Sequence, residues 1–403
     1  MILPERIILS IKILSAIVLT FIILNIVSCS QDPSSIGSPF LNKDLINLDS
    51  LDSFKDTLLP SSSTYKHIIS LGYSSNLLLG IKGNNVATML LSFNIYLPDS
   101  IKADLINNPN ALEVASATVQ LYKSYNYGDS TLPLDYTVHS VNSPWTSTGF
   151  TIDSLPALQY DATDVSSNKS FTDTLYQFNL SNDLILRWLN IYANSQTPDN
   201  GVVVIPTQNT SKIVGFYALT PATSVDIPYL VVVLNKPGVY SNDTLKFSTT
   251  SDLSVISGNP PQYQTEDIFV QSSVELESRI QFDLSKVPQH AIINYAELQL
   301  TFDTTQSVFG SSYTDQLTAN FITDSTHIDS LSTNAVTLNR IGSLYTGNIT
   351  SYVQNWLSTK INEGIQIRSG TYDTGLELWA LKGSNASDRS VRPRLKIIYT
   401  NKK

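Results

Sequence analysis

Arg279-Ile-Gln-Phe-Asp-Leu284 alternates strictly: Ile280, Phe282 and Leu284 fall on one side, Arg279, Gln281 and Asp283 on the other. After Val287-Pro288 the alternation resumes. Ala296, Leu298, Leu300 and Phe302 share a face, and Glu297, Gln299 and Thr301 point away. Successive strand side chains point to opposite faces, so period two over consecutive runs predicts two strands buried on one side. Upstream, Met89, Leu91, Phe93 and Ile95, followed by Ala117, Val119 and Leu121, repeat the unit with a longer connection.

Outward from these runs, two matched series emerge. The first half, about Thr64 to Leu234, continues through the alternating Tyr136–Val141 and then Pro144-Trp145. Ile185, Trp188, Leu189 and Tyr192 fall at i, i+3, i+4 and i+7, predicting a helix capped by Ser181 or Asn182. Asn200-Gly201 turns into Val202–Ile205, Phe216-Tyr-Ala-Leu219 follows, and Pro228–Leu234 closes the half. The second half, about Ser241 to Thr400, replays this order. Its helix carries Ile349, Val353, Trp356 and Leu357, with Asn348 or Thr350 as cap. Glu363-Gly364 then turns into Ile365-Gln-Ile367, Leu378-Trp-Ala-Leu381 follows, and Arg392–Tyr399 closes the series. Pro228 and Pro393 each open a closing strand, where a missing N–H is tolerated. Many short strands with one helix per half predict an all-β chain of two tandem jelly-roll-like β-sandwich domains, each with one short helix. The expected boundaries are 64–234 and 241–400, with a linker at 235–240. The long period, roughly 160 to 170 residues, argues against a solenoid, whose repeats run about 20–50 residues. Tyr229 to Leu234 are all apolar, so the second domain or the N-terminal segment is expected to cover Tyr229, Val231 and Val233.

At the N-terminus, Arg6 and Lys12 precede the apolar run Ile13–Leu24, which ends at Ile26-Val27-Ser28-Cys29. This is similar to the bacterial lipoprotein cleavage box. It implies a signal peptide over 1–28, lipid on Cys29 and a tether over 29–63; an uncleaved anchor helix with a chance cysteine is the alternative. Ser30 stands where an inner-membrane retention signal carries Asp, which implies the outer membrane or cell surface. Cys29 is the only cysteine, excluding an intrachain disulfide and any multi-cysteine zinc site. The 403 residues carry 34 Asp+Glu against 25 Lys+Arg, a net charge of −9. No basic tract appears, so nucleic acid is not an expected partner. Charged residues are only 15%, below the roughly 25% of soluble domains. Ser, Thr and Asn supply the polarity, as suits hydroxyl-rich exposed strand faces.

Arg279-Ile-Gln-Phe-Asp-Leu-Ser-Lys-Val-Pro288, Ala296-Glu-Leu-Gln-Leu300, the Ile349–Trp356 helix, Gly364-Ile365 and Arg392–Tyr399 together resemble the DNRLRE domain, related to the repeat of disaggregatase-type surface proteins. Val138–Trp145, the Trp188 helix and Pro228–Leu234 extend the resemblance to the first half. It implies a β-sandwich on secreted and surface proteins, some relatives being carbohydrate-binding modules. Thr146-Ser147 depart from the acidic residue that the family often places after the tryptophan matched by Trp145.

No local pattern points to catalysis. His67, His139, His290 and His327 lack metal-ligand spacing, and Asp324, His327 and Asp329 read as a solvated loop before they read as a metal site. A Gly-x-Ser-x-Gly elbow, a phosphate-cradling loop and an HExxH helix are all missing. No cofactor or metal is therefore expected, and the chain reads as a non-enzyme. Tyr122-Lys-Ser-Tyr-Asn-Tyr-Gly-Asp129 is the candidate ligand site. Exposed Tyr122, Tyr125 and Tyr127 rings could cover a sugar's CH face while Asp129 binds its hydroxyls. The competing reading is that these rings merely cover the sandwich edge. Trp145 is a further candidate, for packing or for contact; Trp188, Trp356 and Trp379 read as core. The expected function is a surface-anchored carbohydrate-binding or adhesion lipoprotein whose partner is a polysaccharide or cell-surface glycan. The alternatives are a structural envelope lipoprotein that binds protein partners and, third, a polysaccharide-degrading enzyme.

Overall fold

The alternating runs become strands in the computed structural model, which describes residues 46–402 apart from 56–57, 197–198, 221–225, 260–265, 275, 312, 325–330, 332–333 and 372. Two leading strands, β1 (Ile46–Asp52) and β2 (Pro60–Lys66), precede the first series. That series is β3 (Asn76–Lys82), β4 (Asn85–Phe93), α1 (Asp99–Asn107), β5 (Glu113–Tyr127), β6 (Tyr136–Ser140), β7 (Ser166–Phe171), β8 (Leu175–Leu180), α2 (Asn182–Ala193), β9 (Val202–Pro206), β10 (Ile213–Tyr217) and β11 (Tyr229–Lys236). A long strand, β12 (Tyr240–Ser257), precedes the second series. The second series is β13 (Asp267–Gln271), β14 (Leu276–Phe282), β15 (Ile292–Val308), β16 (Gln316–Phe321), β17 (Val336–Ile341), β18 (Leu344–Asn348), α3 (Thr350–Thr359), β19 (Ile365–Ser369), β20 (Leu378–Lys382) and β21 (Arg394–Lys402). The chain is all-β, and β13 to β21 repeat β3 to β11 in order.

Each series wraps its own core. The first buries Leu91, Phe93, Val119, Leu121, Trp188 and Val232; the second buries Ile280, Phe282, Leu298, Leu300, Trp356 and Ile397. These are the alternating positions of the strands and the apolar stripes of α2 and α3. Ser181 caps α2 by accepting the Leu184 N–H at 3.4 Å. Asn348 accepts both the N–H and the hydroxyl of Thr350 as α3 begins. Closure is by ladder: β15 pairs with β18 on one side and β20 on the other, and β5 with β8 and β10 in the same way.

The leading strands are exchanged between the halves. β12 pairs through Asp243–Ser248 with β11 and through Thr249–Ser257 with β4, completing the first half. β2 pairs along its whole length with β14, Leu276 opposite Lys66 and Phe282 opposite Pro60. After β1, Ser53 N–H donates to Leu395 O at 3.0 Å and Ser53 Oγ accepts the Leu395 N–H at 2.9 Å. Asp52 holds Arg394 through both carboxylate oxygens. Thus β1 and β2 do for the second half, in two pieces, what β12 does for the first in one.

This arrangement moves the expected boundaries. The stretch 235–240 is not a linker between domains but a hairpin turn, with Lys236 opposite Tyr240 in the same sheet. The described part of the expected tether, from Ile46 to Ser63, includes β1 and part of β2; Leu58 within it is fully buried in the second core. Its Ser-rich composition concealed a strand held by ladder hydrogen bonds. Cys29 and the signal peptide lie outside the described residues. The first half also has a second α-helix, α1, whose Ile101 and Leu105 are buried.

Ser50–Tyr399 form one compact unit. Within it a third apolar cluster joins the halves: Leu78, Tyr125, Tyr127 and Ile213 from the first meet Phe269, Leu376 and Leu378 from the second. The halves therefore meet on this surface and not on the outer face of β11. There Tyr229, Val231 and Val233 stay half-buried, and the Lys246 ammonium of β12 sits 3.6 Å from the Tyr229 ring centroid.

Candidate binding cleft

The residues singled out for a ligand do not converge. Tyr125 and Tyr127 are 1% and 3% exposed, inside the cluster between the halves. Tyr125 Oη accepts the Leu376 N–H at 3.0 Å. Burial, reinforced by the neighbouring Glu377 carboxylate, pushes its hydroxyl pKa far above the ordinary value. Both rings were expected on the surface; they are core because Val119, Leu121, Tyr125 and Tyr127 keep one phase of β5. Tyr122 lies half-buried on the opposite phase, across from Leu175. Asp129 is exposed but closes its own turn, accepting the Thr131 N–H at 2.8 Å and hydroxyl at 2.7 Å; these bonds lower its pKa. Trp145 packs in a loop over β4 and β9, donating its indole N–H to Asn200 O at 2.7 Å.

His139 is a structural residue. Its Nδ1 lies 2.9 Å from Asp161 O and its Nε2 2.9 Å from the Thr137 hydroxyl. His327 and Asp329 lie outside the described residues. Among the described residues no group of three His, Cys, Asp or Glu could hold a metal ion, and no helix is long and apolar enough to cross a membrane.

An open cleft of about 450 Å³ lies elsewhere, beside α3 in the second half. Its apolar wall is Phe282, Leu284, Val287, Trp356 and Leu357. Two strand ends and a helix exit set the geometry. Past Phe282 the chain makes two tight turns, with the Val287 N–H donating to Leu284 O and the Ala291 N–H to Pro288 O, each at 2.9 Å. On the other side α3 ends where Lys360 takes a left-handed conformation, φ 62°, and its N–H donates to Trp356 O. Two side-chain amides tie these walls together: Gln281 Nε2 donates to Asn362 O at 2.5 Å, and Asn362 Nδ2 to Phe282 O at 2.8 Å. Asp283, Ser285, Gln289 and Lys360 form an exposed polar rim. Trp356 Nε1 is buried without a hydrogen-bond partner. Amides and a carboxylate around an apolar wall can bind a ligand and orient it.

The repeat explains the opening. Leu91-Ser-Phe93-Asn-Ile95 of the first half corresponds to Ile280-Gln-Phe282-Asp-Leu284, and Trp188-Leu189 to Trp356-Leu357. The first half then inserts α1, which packs against α2 and buries Ile95 and Leu189 to 6% and 0% exposure. The second half has only the short connection to β15, and Leu284 and Leu357 remain half-buried. The difference in connection length was visible in the sequence; that it uncovers one face of a helix was not.

No family model matches the chain and no curated protein matches it. Among solved structures, the infectious bursal disease virus VP2 subviral particle aligns over 89% of this chain and 77% of that chain, at 12% identity and a TM-score of 0.12. A likeness at that level carries no argument about fold or function.

Proposed function

We propose that the chain is a surface-anchored, non-catalytic lipoprotein, held to the outer membrane through Cys29, that adheres by taking a ligand in the cleft beside α3. The observation that carries this reading is the wall of Leu284 and Leu357, left half-buried where the first half fully covers its counterpart. Apolar surface kept open inside a polar rim is the usual form of a recognition site. The carbohydrate binding implied by the DNRLRE resemblance passes from the buried tyrosines to Gln281, Gln289 and Asn362, whose amides suit sugar hydroxyls. An envelope protein is the other class of ligand.

Ser285 lies exposed on the rim, so Ser285→Trp fills the cleft without touching either core. Adhesion of the mature chain to polysaccharide panels and to purified envelopes is the measurement. Loss of at least one of these in the variant, at an unchanged melting temperature, supports the reading. Full retention by a folded Ser285→Trp overturns it.

A further inference from the structure

We infer that the occupant of the cleft is an amphipathic helix from a partner protein, seated on α3 as α1 is seated on α2. The inference rests on the cleft being the binding site and adds the class of ligand. The first half supplies the template. Ile101 and Leu105, one turn apart on α1, lie in the same core cluster as Trp188 and Leu189 of α2. Beyond α1, Pro109 O accepts a hydrogen bond from Asn190 Nδ2 of α2 at 3.4 Å. On α3 the matching pair, Trp356 and Leu357, faces the open cleft, and Leu284 stands where Ile95 is covered. Among the described residues no element of this chain takes the place of α1 there. Apolar anchors at i and i+4 in a groove are a common mode of helix recognition. The exposed Asp283, Gln289 and Lys360 then flank the polar sides of the incoming helix. A flat sugar would use the amides but would leave the Leu284 and Leu357 wall without an apolar partner.

The probe is a labelled synthetic peptide copying Pro98 to Pro109, the chain's own α1, offered to the intact mature protein. Saturable binding is expected, weakened at least about ten-fold when Ile101 and Leu105 of the peptide are both replaced by Asp, as for loss of anchor residues. Ser285→Trp in the protein should weaken it similarly while thermal unfolding is unchanged. Leu357→Asp is the more direct variant but can disturb the core, so Ser285→Trp decides. Absence of saturable binding, or equal binding of the Asp-substituted peptide, overturns the helix inference. If a saccharide binds instead and Ser285→Trp abolishes it, the cleft remains the site and the helix is wrong. If no ligand responds to Ser285→Trp, both readings fall.

Discussion

Asp252, on β12, is 4% exposed, and its carboxylate accepts the Leu219 N–H at 2.7 Å. Burial pushes its pKa up to about 6, against roughly 3.9 in an unfolded chain. The folded state holds this proton more tightly than the unfolded state. The group's contribution is therefore fully present below about pH 4 and is lost as pH rises through about 6, a loss on the order of 3 kcal/mol. Glu377, buried beside Tyr125, is raised in the same direction by burial. Asp252→Asn keeps an acceptor for Leu219 and removes the charge. Urea melts across pH 4 to 8 should show it about 1–3 kcal/mol more stable at the alkaline end, with a flatter profile. Tyr125→Phe leaves the Leu376 N–H unpaired and should cost about 1–3 kcal/mol; unchanged stability would return the ring to the surface. For the proposed anchor, Cys29→Ser should leave the protein unprocessed or release it from the membrane fraction. A processed, membrane-bound variant would sink that reading. The period of two already placed Tyr125 and Tyr127 in phase with Val119 and Leu121. It could not reveal that the far end of β5 leaves its own core and enters the other half's surface.

At the scale of elements, α2 and α3 were legible because apolar residues at helical spacing must face a sheet; Ser181 caps α2 as expected, whereas the N-cap of α3 is Ile349, which makes no side-chain cap bond, and not Asn348 or Thr350. Trp356, 2% exposed on α3, should cost about 3–5 kcal/mol when replaced by Ala. A loss below about 1 kcal/mol in equilibrium melts would mean that the helix does not pack as described. Strand β2 was not legible. Pro60-Ser-Ser-Ser-Thr-Tyr-Lys66 has no apolar alternation; the ladder with β14 holds it, together with side-chain bonds in which Ser62 Oγ accepts the Ser384 N–H and Thr64 Oγ1 the Phe269 N–H. α1 was equally hidden, since Ile101 and Leu105 give only two periodic positions in a helix of less than three turns.

The exchange of leading strands makes the two halves one cooperative body. A fragment from Thr64 to Lys236 lacks β12, so it leaves the β4 and β11 edges unpaired and exposes the Tyr125 cluster. It should aggregate or unfold without a cooperative transition, and the remainder should do the same. The intact mature chain should unfold in a single calorimetric transition. Two fragments cut at Gly238 and co-expressed should remain associated, because each carries strands of the other's sheet. A soluble, cooperatively folding Thr64–Lys236 would refute the exchange.

Residue order alone sets the local choices: strand where Ile280, Phe282 and Leu284 alternate, helix where Trp356 and Leu357 recur, and a duplication where the two series match. Those choices depend on neighbours a few residues away, and the backbone period records them. Which strand completes which sheet, where the halves meet and which helix face stays open are decided by contacts between residues far apart in the chain. β2 reaches β14 through backbone hydrogen bonds, and its hydroxyls meet partners more than 200 positions away, Thr64 at Ser278 and Phe269 and Ser62 at Ser384, so no local pattern marks the strand. The cleft beside α3 exists because, among the described residues, no counterpart of α1 covers it, and the folded repeat shows which face that leaves open.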